Sequence, residues 1–188
     1  MKRKLSRRDV LKGSAAAGFD PRRDAIARVY RYRIRMAGER RTADRHRTLE
    51  IDEPLDVDAM RVAAAALLGE RDFGALGSHA RGRTVRRVTE VRIVQRGTSI
   101  EVRVTANAFL RRMVRSIVAL LLEAGRGRLA PGSVAGLLDA GERVLHGRAA
   151  PARGLTLERV IYPKSNGGSS SARGRAGNMA TETREQES

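Results

Sequence analysis

Cysteine and tryptophan are absent from the 188 residues, and the only aromatic rings are three Tyr and three Phe. Each shortage excludes a class of protein. Without Cys there is no disulfide framework and no thiolate zinc site. The three histidines, His46, His79 and His146, are scattered with no metal-ligand spacing between them. No run of about 18 apolar residues is present, so no membrane-spanning helix is predicted. Six rings are too few for a platform that stacks bases one after another. Neither Gly-x-Gly-x-x-Gly nor a P-loop occurs, so nucleotide cofactors leave no signal. The acidic residues form no pair suited to acid–base work: Asp52 and Glu53 precede Pro54, and Asp56 and Asp58 read as helix-start residues.

What is abundant is positive charge. Thirty-eight Lys and Arg stand against 21 Asp and Glu, a formal net charge of +17. This excess predicts attraction to a polyanion, with RNA or DNA foremost; the plain alternative is charge that only maintains solubility. The first 35 residues hold twelve Lys and Arg against three acids, so the excess is densest at the front. There Ser6-Arg7-Arg8-Asp9-Val10-Leu11-Lys12 is similar to a twin-arginine export motif. Only Gly13 to Phe19 follow before Asp20, Arg22 and Arg23, which is no adequate apolar h-region. Residues 1–17 are therefore predicted to be a basic, disordered head, and the protein to be cytoplasmic. Residues 164–188 contain Asn166-Gly167-Gly168-Ser169-Ser170-Ser171 and almost no large apolar side chains. They bury too little to offset the entropy of ordering and are predicted to be a disordered tail. Residues 18–163 form the predicted domain.

Within that domain the periodicities alternate between strand and helix. In residues 25–36, Ile26, Tyr30, Tyr32, Ile34 and Met36 fall on one face and Arg31, Arg33 and Arg35 on the other, the pattern of a strand. A short strand is predicted at 47–51. A helix follows with Asp56 as N-cap, Val57, Met60, Ala64, Leu67 and Leu68 on its buried face and Gly69 as its stop. Val85–Gln95 and Ser99–Thr105 read as a hairpin turning at Arg96-Gly97-Thr98. Ala108–Ala124 reads as one helix, with Phe109, Leu110, Met113, Val114, Ile117, Leu120 and Leu121 on one face. Arg111, Arg112 and Arg115 then lie within about 100° of each other on the opposite face. A short helix at Ser133–Ala140 and a strand at Leu155–Tyr162 close the domain. The order predicts an α+β fold with a mostly antiparallel sheet. Cationic side chains are the chemistry on offer: Arg111, Arg112 and Arg115 can grip phosphates, and Arg28, Arg31, Arg33 and Arg35 extend that surface.

Four segments, in order, resemble the tRNA pseudouridine synthase A family. Asn107-Ala108-Phe109-Leu110-Arg111-Arg112-Met113-Val114-Arg115-Ser116-Ile117-Val118 is similar to the family's Met-Val-Arg signature. Phe19 to Tyr32 resembles the strand that carries its substrate tyrosine. Leu67 to Phe73 with Arg83 to Arg86, and Ala150 to Leu157, resemble two further blocks. The matches cover residues 18–163. The resemblance implies a pseudouridine-synthase-like C-terminal domain and an isomerase that converts uridine to pseudouridine in the tRNA anticodon stem-loop. It implies no metal or organic cofactor and a homodimer. It places Tyr30 against the target base and Arg115 beside the nucleophilic Asp, both as supporting catalytic groups. Arg28, Arg31, Arg111 and Arg112 become RNA-binding residues. The family's catalytic Gly-Arg-Thr-Asp does not occur here: Gly82-Arg83-Thr84 is followed by Val85, in the wrong block. The expectation is thus a truncated form that binds tRNA without the nucleophilic Asp, or that takes a catalytic domain from another chain. The alternatives are a non-catalytic RNA-binding module and a nonfunctional product of a rearranged gene.

Overall fold

The computed structural model describes residues 20–36, 46–77, 82–141 and 148–163. The head, the tail, His79 and His146 lie outside the described residues. Among these residues six strands form one sheet: β1 (Ala27–Met36), β2 (Leu49–Ile51), β3 (Gly69–Asp72), β4 (Val85–Arg96), β5 (Ser99–Ala106) and β6 (Leu155–Ile161). Among the described residues three α-helices accompany them: α1 (Val57–Ala65), α2 (Met113–Gly125) and α3 (Val134–Asp139). The order across the sheet is β2-β1-β5-β4-β3, with β6 also on β1. β6 takes the first part of β1 and β2 its last three residues; only the β1–β2 pair is parallel. The fold is the α+β class that the element order predicts.

One face of this sheet is apolar because two registers agree. Tyr30, Tyr32 and Ile34 of β1 stand opposite Val104, Val102 and Ile100 of β5. Those in turn face Val91, Ile93 and Gln95 of β4. Helices α1 and α2 pack on each other, α1 also against β4, and α2 is buried at Met113, Val114, Ile117, Val118, Leu120, Leu121, Leu122 and Ala124. The C-terminal half of α2 is thus inside the core. The opposite face of the sheet carries Arg31, Arg33, Arg35, Arg92 and Arg103, whose alternation with the apolar set follows from the two-residue strand period.

Several expectations hold in detail. Asp56 caps α1, its carboxylate accepting from the Ala59 N–H at 2.9 Å. The hairpin turns on two residues, Gly97 and Thr98, with Arg96 paired to Ser99 and Gly97 at φ 57°. Others are corrected. Ile26 lies outside β1 and is 55% exposed, because the chain joins β1 only at Ala27. Helix α1 ends at Ala65, and Gly69 opens strand β3 instead of ending a helix. Leu67 is still buried, whereas Leu68 is exposed. The strand β3 had no sequence signal, since Gly69-Glu70-Arg71-Asp72 has no apolar alternation and lies at the sheet edge. In β4 a register shift lies between Val88 and Glu90. This bulge puts Val88 on the same face as Val91 and Ile93, although its parity differs.

The largest correction concerns the start of α2. The helix begins at Met113, not Ala108, and Arg112 takes φ 65° with no side-chain cap. Among the described residues Arg112 is the only non-glycine with positive φ. The preceding stretch is held out of helix by Asn107. Its side-chain oxygen accepts from the backbone N–H groups of Arg87 (3.0 Å) and Ala108 (2.8 Å). Arg111 and Arg112 are therefore in a turn, and no single helix face carries them with Arg115.

Candidate nucleic-acid interface

The turn before α2 sets the geometry of the site. By leaving β5 in a non-helical path, the chain brings Phe109 edge-on to Tyr30, with ring centroids 5.1 Å apart and planes at 87°. Tyr30 stands in β1 between Val104 and Leu157, and Leu157 is 49% exposed. Tyr30 is therefore half-buried at the rim of the apolar face, with solvent next to it.

Arg115 projects from the first turn of α2. Its Nε donates to the carbonyl of Ala150 at 2.5 Å, and the Ala150 N–H returns a bond to the Arg115 carbonyl at 3.0 Å. The two terminal nitrogens of this guanidinium form no hydrogen bond among the described residues. Their fork remains open for an oxyanion. The segment pinned by Arg115 continues to Pro151, whose carbonyl accepts from the Tyr32 hydroxyl at 2.7 Å. Gly154 then lies flat on the Tyr32 ring; a Cβ there would stand 2.6 Å from it and 2.8 Å from the Arg33 carbonyl. Burial pushes the Tyr32 hydroxyl up to about 12, and the charges of Arg115 and Arg153 partly oppose that shift. Arg153 is thus a second cation on this side, from a segment that reads in sequence only as a strand lead-in.

The other sequence-predicted residues separate. Arg28 donates to the carbonyls of Asn107 (2.9 Å) and Arg22 (2.6 Å), tying the 20–24 turn to the end of β5. Arg111 and Arg112 are exposed in the turn beside Phe109. Arg31 is on the opposite sheet face, its Nε 3.9 Å from Glu101. The structure therefore gathers Tyr30, Arg111, Arg112 and Arg115 around the start of α2 and leaves Arg31 elsewhere. Phe109 reads as helix-face core in sequence; only the break at Arg112 reveals it as the partner of Tyr30. The Gly82-Arg83-Thr84 triplet has a structural use. Thr84 donates to Asp72 at 2.8 Å and the Gly74 N–H to the same carboxylate at 2.7 Å. Those bonds, the Gly74 one foremost, hold the Asp72 carboxyl below its usual range.

A wider cleft of about 950 Å³ runs between β2, α2 and the segment 148–151. Its walls include Leu49, Ile51 and Leu122, and Arg126 closes one side by pairing with both Glu53 and Glu123. Among the described residues no group of His, Asp and Glu is placed to hold a metal ion, and no helix is long and apolar enough to cross a membrane.

A half-buried ring backed by a second ring, an arginine with an open fork and two exposed arginines thus sit on or beside the start of α2. Comparison with known proteins identifies the family. A sequence model of the tRNA pseudouridine synthase family matches residues 63–163. The tRNA pseudouridine synthase A of Geotalea uraniireducens (strain Rf4) is 38% identical over 150 residues, covering 79% of this chain and 62% of that protein. That of Xanthomonas oryzae pv. oryzae (strain PXO99A) is 42% identical over 156 residues, 79% of this chain and 59% of that protein. That of Myxococcus xanthus is 41% identical over 151 residues, 78% and 57% respectively. The chain belongs to the tRNA pseudouridine synthase family, and its α+β fold is of the pseudouridine-synthase type. It spans about six-tenths of the length of these relatives.

Proposed function

We propose that these residues form the tRNA-holding part of a pseudouridine synthase, an isomerase that turns uridine into pseudouridine in the anticodon stem-loop. The observation that carries this reading is the joint placement of Tyr30, backed edge-on by Phe109, and Arg115, pinned through Nε with its terminal nitrogens open. Tyr30 packs against the target base after it leaves the stack. Arg115 offers its fork to the carboxylate of the nucleophilic Asp and orients it. Arg111 and Arg112 meet the adjacent phosphates. Arg28 contributes by fixing the exit of β5 that carries Phe109. The reaction needs no metal or organic cofactor on this reading, and the protein works in the cytoplasm as a homodimer.

Gly-Arg-Thr-Asp is not found within the 188 residues, so on this reading the nucleophile comes from elsewhere, in a separate catalytic domain. The domain itself is residues 18–163. Release of tritium from C5-labelled uridine in an unmodified tRNA transcript tests the reading. The 188-residue chain is expected to retain the tRNA on a filter and release no tritium. Turnover by the purified chain would show that one of its own carboxylates attacks the base, and the proposal would be wrong. A chain that retains no tRNA would equally overturn it.

A further inference from the structure

The sheet face turned away from Tyr30 carries charge that its own acids do not neutralise. Register sets Arg31 of β1 opposite Arg103 of β5, and Arg103 opposite Arg92 of β4, three guanidinium groups in one row across the sheet. Like charges directly opposite on neighbouring strands destabilise a sheet unless something neutralises them. Two acids do part of this. Glu101 pairs with Arg103 at 3.1 Å and stands 3.9 Å from Arg31, and Glu158 bonds Arg103 at 3.0 Å. With both acids engaged, Arg33, Arg92 and Arg96 are left with no hydrogen bond or ion pair among the described residues. The Arg31 Nε is also buried without a hydrogen-bond partner.

These cations are not spread at random. Arg33 and Arg35 from β1, Arg92 and Arg96 from β4, and Arg103 and Glu101 from β5 line one groove of about 490 Å³. Thr48 and Ser99 line it as well. Arg92 and Arg96 are four residues apart on one strand, a Cα separation of about 13 Å. One phosphate meets only the guanidinium groups nearest it; a run of phosphates engages arginines along the whole groove. A second copy of the chain fits poorly, since two-fold pairing would set the same unneutralised arginines against each other.

We propose that this groove is a second RNA-binding surface, which takes the sugar–phosphate backbone of the tRNA on the sheet face opposite Tyr30. The inference rests on the reading of tRNA as partner. It adds that one protein engages RNA on both sides of its sheet: base and phosphates at the start of α2, phosphates alone across β1, β5 and β4. A contact through phosphates carries no sequence preference, so the groove holds and orients the tRNA without choosing the uridine.

Filter binding of an unmodified tRNA transcript to the full chain, across a series of KCl concentrations, tests this. Arg92 and Arg96 are both exposed, so R92Q/R96Q leaves the fold intact, which circular dichroism checks. Every phosphate that the protein no longer neutralises makes the slope of log K against log salt shallower by about 0.7–0.9. The double variant is therefore expected to reduce the slope by about 1.5 and weaken binding about tenfold at low salt. An unchanged slope and affinity in R92Q/R96Q, while R112Q still weakens binding, would overturn the groove and leave the tRNA reading standing. A wild-type chain that binds no tRNA would overturn both. If R92Q/R96Q instead changes sedimentation of the RNA-free chain and leaves the slope intact, the face is an interface between copies and the groove proposal is wrong.

Discussion

Tyr32 shows how one side chain ties three segments together. Its ring is in the core, its hydroxyl bonds the Pro151 carbonyl, and Gly154 rests against it. Tyr32→Phe keeps the packing and leaves that carbonyl unpaired, a cost of about 1 kcal/mol at neutral pH by urea unfolding. The pH dependence follows from the raised pKa. Above about pH 10 the unfolded tyrosine ionises while the folded one keeps its proton until about 12, so stability falls as pH rises through that window. Comparing wild type and Tyr32→Phe at pH 8 and pH 11 should show the gap narrowing or reversing; a constant gap would mean that the hydroxyl does not titrate in this way. Gly154→Ala tests the same contact from the other side. The added methyl meets a ring and a backbone carbonyl, and overpacking of this kind costs about 1–3 kcal/mol. The same urea experiment measures it, and an unchanged midpoint would show that the closing segment can move away.

At the scale of elements, the start of α2 and the bulge in β4 are the places where the simple period fails. Arg112 holds a left-handed conformation, which costs about 1 kcal/mol for a residue with a Cβ. Arg112→Gly should therefore raise thermal stability while lowering tRNA affinity. A variant that gains stability and binds as before would remove Arg112 from the interface; one that loses stability would mean that the Arg side chain contributes packing that outweighs the strain. In β4 the bulge between Val88 and Glu90 sets Val88 in the core against its parity. Deleting Thr89 would remove the extra residue and leave Val88 inward, in strict alternation with Glu90 and Val91. Val88→Ala strips apolar surface from the core at this point, a cost of about 1.5–3 kcal/mol, and unfolding at a lower urea concentration would register it. These two sites explain what the sequence hid. Phe109 and Leu110 fit the helical period of the residues after them, so a period count extends the helix over a turn. Val88 breaks the parity of its strand, so an alternation count leaves it out.

For the whole molecule, one apolar cluster joins the sheet to α1 and α2, and both Tyr32 and the helices belong to it. Unfolding followed by tyrosine fluorescence and by the helical circular dichroism signal should give coincident curves, since no Trp is present to dominate the fluorescence. Separate midpoints would mean that the helical layer and the sheet open independently. The net charge of +17 divides the same molecule by face: Arg31, Arg33 and Arg35 of β1 fall on the side away from the core because Tyr30, Tyr32 and Ile34 occupy the other. That much was legible in the sequence alone. Alternation in β1, the Asp56 cap, the Gly97 hairpin and the long apolar helix are local patterns, and local patterns follow from residue periodicity and turn chemistry. The family resemblance is likewise carried by contiguous residues. What only the tertiary structure decided is which cations share a surface. Arg112 leaves the helix because Asn107 is held by β4, Arg115 is aimed by Ala150, and Arg31, Arg92 and Arg103 meet through strand register. Each of these is a contact between residues far apart in the chain, and nothing in a residue's own neighbourhood records it.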